Sequence, residues 1–589
     1  LISPEATYYN QRVDSLIERK ITTATLGDQL NKEASLFIKS YGPSNISTIS
    51  LRGSGAAQTA FFWNGMTINN SMHGLTDLSL LPTFLIDNAT VQFGGNGTAQ
   101  GSGALGGSVF LESKSKYKEG IGATLMASGA SFGNYQSGVA VDLADDKINV
   151  NFKLYTQGGD NDFSFAKPEG QKVIQTNAAF KKSGASIDFS TNWKSNKLSL
   201  HGWYLECNRQ IPPITLSVQS KQEQFDAAGR VIAEFIHDGD KFNYVFHSGW
   251  SNEHLIFKDG LASINDTSKA NTFQNDAELS YQLLQHFLLT AQTTWIHSKA
   301  SASGYPLGEE LDQLNFSLAA KYEKNRLTVN SGVRYGIYNS ITLPFNFSLS
   351  TRYKLSTAFS MNANFATVYR VPTLNDLYWS PGGNEDLLPE YGYTSSVGVS
   401  FVKQISQLHL SAQTNFYYNI LNDAILWAPG NAGYDVDNIN KVNSKGLEVI
   451  LEGQIKHNNS IFTIRGMPQV TISRITESTS QATSAIDKQQ IYTPEFIFKG
   501  FIAYEFKKWF VRYDANYTST TYTTADNNQY LNPYSTGDLQ VAWNLKLKKL
   551  KYTFTGSINN CWDENYQVIA WRAMPGRNYE VGIIVELLK

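Results

Sequence analysis

The sequence predicts a transmembrane β-barrel of about 22 antiparallel strands with an N-terminal α/β domain seated inside its lumen. Three observations carry this expectation. From about Tyr117 to Lys589 short segments alternate apolar and polar residues with period two, which gives strands two different faces. Their connections alternate between tight turns and long polar excursions, the asymmetry of an outer-membrane barrel with short periplasmic turns and longer outer loops. Residues 1–115 are richer in Gly and mixed in period, so the division expected is 1–115 for the inner domain and 116–589 for the barrel.

Composition agrees. The 589 residues carry 49 Lys plus Arg against 51 Asp plus Glu, a net charge of -2 that leaves no electrostatic footprint for nucleic acid. Only 17% are charged while 13% are aromatic, a combination suited to a protein facing both water and lipid. Mean hydropathy is -0.30, and no stretch of about 20 consecutive apolar residues offers a spanning helix. Cys207 and Cys561 are the only cysteines, which excludes a disulfide-dense scaffold and multi-cysteine metal sites; two unpaired thiols are the expectation. Leu1 to Asn10 lacks a basic region leading into an apolar core and is not a secretory signal.

In the inner domain, Leu26 and Leu30 behind Thr25, with Asp28 three residues on, predict a short capped helix. Leu36 to Lys39 and Ile49 to Leu51 read as strands. Ala60 to Ile68 reads as a hairpin turning at Asn64-Gly65, since Asn-Gly accepts the positive φ values of a type I′ turn. Ala89 to Phe93 and Ser108 to Leu111 complete the strands. Along the barrel, Ile148, Val150, Phe152 and Leu154 alternate with polar neighbours after the tight turn Asp145-Asp146. Ile187 to Trp193 and Leu198 to Tyr204 form a hairpin about Lys194 to Lys197. Further strands follow to Tyr579, Val581, Ile583, Val585 and Leu587, with no helix-period segment between them. Gly158 to Gly184, Arg209 to Gly229 and Ile472 to Gln490 are the long excursions. Trp203, Tyr204, Trp295, Tyr418, Trp571 and Tyr579 are candidates for interfacial girdles. Beyond residue 116 about 22 strands would have roughly 21 residues each, connection included.

No catalytic constellation is present. Gly101-Ser102-Gly103-Ala104-Leu105-Gly106 matches a dinucleotide fingerprint in form, yet the strand-like Ser108 to Leu111 stands where that motif requires a helix N-terminus. These glycines are expected to permit close backbone approach. The nine histidines show no metal-binding spacing.

The N-terminal domain shows an ordered series: Leu26 to Leu30, Ile49-Ser50-Leu51-Arg52-Gly53, Asn64-Gly65, Asp77-Leu78-Ser79-Leu80-Leu81-Pro82, Val91 to Gly95, and Gly101 to Gly107. This series resembles the plug of TonB-dependent outer-membrane receptors. Tyr369 to Tyr378, followed by Gly383 to Glu390, resembles the family's mid-barrel motif. Asn64 stands where the family has Asp, Phe93-Gly94-Gly95 where it has Arg-Gly-Pro, and Leu587-Leu588-Lys589 where many barrels end in an aromatic. Leu1 to Glu5 is not a convincing TonB box. By its spacing from Arg52-Gly53 the box is expected to precede residue 1, so the protein as isolated should exceed 65.5 kDa.

The resemblance implies an outer-membrane location in a Gram-negative bacterium, a bilayer bearing lipopolysaccharide, and a TonB-type energising partner acting through that N-terminal segment. Some relatives add a surface lipoprotein lid. No enzymatic activity and no resident cofactor are implied. Plug apices facing outward would contact ligand, corresponding here to Tyr41, Asn45, Ile46, Ser47 and Thr48 and to Ser71, Met72, His73 and Gly74. Arg52, Gly53, Asn64, Gly65, Gly106 and Gly107 would hold the plug together. Asp160 and Asp162 could offer oxygen ligands to calcium, as loops of related receptors do, although two carboxylates also make an ordinary solvated turn. Among the family's substrates haem is disfavoured, since Ser298 to Leu408 contains no His. The short chain and the loop Asn69 to Asp77, ending in Asp-Leu-Ser, resemble cobalamin receptors, with a ferric siderophore as the alternative. A passive porin would lack the plug series.

Overall fold

A computed structural model describes residues 7–13, 24–114, 120–167, 170–217, 219–339, 341–430, 433–478 and 483–587. Leu1 to Glu5, where the TonB-box comparison fell, lies outside these residues.

The inner domain is built on a five-stranded sheet. Its strands are β1 (Tyr9–Val13), β4 (Thr59–Trp63), β5 (Met66–Thr67), β6 (Asn88–Phe93) and β7 (Gly107–Glu112), in the order β1-β6-β7-β4-β5. Only β4 and β7 run parallel. Helix α1 (Leu26–Glu33) starts at a reciprocal cap in which Thr25 and Asp28 satisfy each other's backbone N–H groups, and it buries Leu26 and Leu30 completely. Strands β2 (Phe37–Ser40) and β3 (Ser47–Ser50) pair as a separate hairpin. The Asn64-Gly65 turn has φ of 45° and 85° and pairs Trp63 with Met66, the type I′ hairpin expected of that dipeptide. A single helical turn, α2 (Gly97–Gln100), precedes the glycine-rich segment.

Around this domain, strands from Gly120–Ala130 to Asn578–Leu587 close on each other, Glu580 pairing with Ala130. Among the described residues 22 strands form the barrel, with the two-residue Ile341–Thr342 as a side branch of Leu327–Tyr338. Its strands turn a soluble protein inside out. In Ile148–Gly159 the apolar Ile148, Phe152 and Leu154 are 40 to 45% exposed, whereas Asn149, Asn151 and Lys153 are at most 6% exposed against the plug. Lipid takes up the first set, and lumenal hydrogen bonds satisfy the second.

Four expectations are corrected. Trp203 faces inward, its ring 5.2 Å from that of Trp63, because it shares parity with lumenal Leu205 and Cys207. Trp571 sits in an outer loop, where its carbonyl accepts from Thr215 N. The strands also continue through the polar excursions: Asn196–Ile211 and Gln222–Asp238 pair from Asn196↔His237 to Ile211↔Gln222, so only the residues between them form a loop. Finally, a helix interrupts the strands, α3 (Leu374–Tyr378), capped reciprocally by Thr373 and Asp376.

Candidate functional site

Two apices of the plug reach the outer loops. The first is the β2–β3 turn, where Gly42 lies close to Ala573 O of the loop between Leu550–Asn559 and Asn578–Leu587. The second, Asn69 to Asp77, is shaped by two asparagines. Asn69 bonds Phe61 N, Thr59 O and Gly74 O, while Asn70 Oδ1 accepts from Met72 N and His73 N at 2.9 and 3.0 Å. Gly74 closes the turn at φ +71°, a conformation glycine adopts without steric cost.

Asp77 joins both apices to the wall. Its Oδ1 accepts from Ser47 N and Ser79 N, each at 2.9 Å, and its Oδ2 lies 3.0 Å from Arg209 Nη1. Arg209 also pairs with Asp226 at 2.9 Å. Next to it, Asn70 Nδ2 donates to Glu253, which holds Arg230. The second apex also docks on α3: Leu374 N and Asn375 N donate to Ser71 O and Met72 O, and Asn375 Nδ2 donates to His73 Nδ1. The free N–H groups of a helix start are thus satisfied by the plug.

This geometry sorts the expected ligand residues. His73 is exposed, and Tyr41, Ile46, Ser71 and Gly74 are half-buried at the apices. Crowding by the surrounding wall lowers the His73 pKa, with Asp376 opposing, so its imidazole is held neutral. Asn45, Ser47, Thr48 and Met72 are buried. Met72 packs with Tyr305, Tyr369 and Leu374, and Thr48 is paired to Lys39 inside the hairpin, so these two side chains are shielded from a ligand in this state, while the Ser47 backbone N–H is bound to Asp77.

The residues expected to be structural are all engaged. Arg52, at φ +53°, donates from Nε and Nη2 to both oxygens of Glu448 at 3.0 and 2.8 Å, with both side chains fully buried, and its guanidinium lies 4.7 Å from the Tyr417 ring. Gly53 lies against Ser473 of the wall, Gly65 against His247, Gly106 against Ser54 and Leu51 O, and Gly107 against Gln92 O. Asn64 bonds Ser113. The glycines of the dinucleotide-like motif therefore serve close packing.

Asp160 and Asp162 are exposed on either side of buried Asn161, and among the described residues no three His, Cys, Asp or Glu side chains assemble around a point. Cys207 and Cys561 are free thiols. Arg209, Arg230, Glu253 and Glu448 were not singled out from sequence. The usable signal is parity: each is a charge on the polar face of a strand, the face that meets the plug.

A closed barrel filled by a domain tied to its wall by ion pairs is a gated transporter by construction. Residues 122–561 match the family model for the TonB dependent receptor-like β-barrel, and residues 13–108 match the TonB-dependent receptor plug domain. The chain belongs to the TonB-dependent receptors, transporters of the Gram-negative outer membrane that are energised by a TonB-type protein. It is 23% identical over 594 residues to the vitamin B12 transporter BtuB of Photobacterium profundum, covering 96% of this chain and 89% of that one. In fold it is similar to the FrpB iron transporter of Neisseria meningitidis (TM-score 0.81, 13% identity, 98% and 99% covered). It is also similar to the siderophore receptor PirA of Acinetobacter baumannii (TM-score 0.81, 14% identity, 98% of each chain covered).

Proposed function

We propose that this transporter imports cobalamin or a related corrinoid. The observation that carries the reading is the similarity to a vitamin B12 transporter, which runs through plug and barrel alike over 96% of the chain. The apices support it, since Tyr41 and Ile46 on the first and His73 on the second leave aromatic, apolar and polar surface partly exposed, suited to a large amphipathic ligand rather than to a small ion. Ligand seated there presses on turns whose far ends are held by Asp77 and Asn70, so occupancy bears on the contacts that fix the plug to the wall. The test is an equilibrium titration of the detergent-solubilised protein with cyanocobalamin beside a ferric siderophore. Saturable sub-micromolar binding of cyanocobalamin alone is expected, and binding of the siderophore alone would replace cobalamin with an iron chelate.

A further inference from the structure

Between the second apex and the barrel wall lies a recess of about 280 Å³. Its lining includes Thr76 on the plug and Cys207, Ala228, Arg230 and Glu253 on the wall. Thr76 and Arg230 are 8 and 9% exposed. Thr76 Oγ1 and Arg230 Nε are each buried with no hydrogen-bond partner. A buried polar atom without a partner is destabilising, so two around one hollow mark a place that a hydrogen-bonding group would stabilise.

The charges around it decide which group. Arg209 is matched by Asp77 and Asp226, Arg230 by Glu253, and Lys182 donates to Ser79 O and Gln157. Glu206 shares the outward face of its strand with exposed Tyr204, from whose Oη it accepts, and so does not face the recess. Three cations, Lys182, Arg209 and Arg230, face three carboxylates, Asp77, Asp226 and Glu253, so no net positive charge is left over for an anionic ligand. The orphan atoms include donors and a site able to accept, the set that a neutral group with both functions satisfies. We propose that the recess receives a neutral, hydrogen-bonding arm of the transported molecule, of the primary carboxamide class. This deepens the cobalamin reading, on which it rests, because the corrin ring carries carboxamide arms.

Cys207 serves as the reporter. In a Cys561→Ser protein it is the remaining thiol, and its alkylation is followed by intact mass with neutral iodoacetamide and anionic iodoacetate, each normalised to a free thiol in solution. Iodoacetamide is expected to react faster, and saturating cyanocobalamin is expected to slow it about tenfold by occupying the recess. Ala228→Leu, which fills the hollow, is expected to weaken cyanocobalamin binding about tenfold, and Thr76→Val about threefold. Bound cyanocobalamin that leaves the alkylation rate unchanged, or undiminished affinity in both variants, overturns the proposal. If the titration shows no cobalamin binding, the substrate reading fails separately, and equal normalised rates for the two reagents then overturn the recess.

Discussion

Single residues hold the plug where sequence and wall meet. Replacing Arg52 with Met strands the Glu448 carboxylate at zero exposure, a change that costs about 3 to 5 kcal/mol in comparable buried pairs. The expected outcome is a large drop in the thermal midpoint of the solubilised protein, with most of it recovered in Arg52→Met/Glu448→Leu, since the second change removes the stranded charge. Failure of the double variant to recover would show that Arg52 acts through its Tyr417 contact instead. Lys39 presents the opposite case. Burial without a neighbouring carboxylate lowers its pKa from 10.5 to about 8. The unfolded chain therefore binds more protons between pH 8 and 10.5, and plug stability must rise with pH across that window. Lys39→Met should flatten this rise and stabilise the protein at pH 7 by about 1 to 3 kcal/mol, checked by denaturant unfolding at pH 7, 8 and 10.

At the scale of elements, parity decides what a strand tolerates. Phe152 faces lipid while its neighbour Lys153 reaches inward to Asp87 at 2.7 Å. Phe152→Arg should cost about 2 to 4 kcal/mol near the bilayer midplane and reduce the heat-resistant folded fraction on gels, while a charge at position 153 is already native. A Phe152→Arg barrel as stable as the parent would place this segment outside the hydrocarbon. Period two made the existence of such strands legible in the sequence, as the Asn64-Gly65 turn and the Thr25/Asp28 cap made the plug legible. Their upper limits were not. Beyond the membrane the outward face of a strand meets water while the inward face carries polar groups too, so Arg209 to Ile211 and Gln222 to Gln224 lose alternation and resemble loop, although they pair in register. Helix α3 is hidden for a related reason: five residues are too few to show a helical period, and only the Thr373/Asp376 cap announces it. The apices were readable from motif order, but Arg209, Arg230 and Glu253 were not, because a lumenal charge and a solvated one look alike until the plug supplies the partner.

The whole molecule joins a rigid wall to a plug that must yield, and the plug's topology indicates where. β1 is an edge strand whose strand pairing among the described residues is with β6 over five residue pairs, so a pull applied from its N-terminal side would load it before β4 or β7. A cavity of about 360 Å³ lies between α1, the first apex and the wall strands around Ser128 to Gln157 and Ile497 to Asn559. The wall strand Asn346–Lys354 hydrogen-bonds to the plug through Thr7 Oγ1 to Ser350 Oγ at 2.8 Å and Thr98 Oγ1 to Ser348 Oγ at 2.5 Å. Each hydroxyl pair is a site at which to test a cysteine pair, whose bond needs about 2.05 Å between sulfurs. In a Cys561→Ser background, the oxidised Thr7→Cys/Ser350→Cys protein should bind ligand normally yet fail to import it. The lock diverts tension into the barrel before it reaches β1, and a reductant should restore uptake. The oxidised Thr98→Cys/Ser348→Cys protein should bind and import, because α2 lies behind the elements that unzip. Uptake measured in cells for the four states separates the outcomes: import through the Thr7 lock would mean that the plug is not opened from its N-terminal edge, and loss of import through the Thr98 lock would mean that it leaves the barrel as one body.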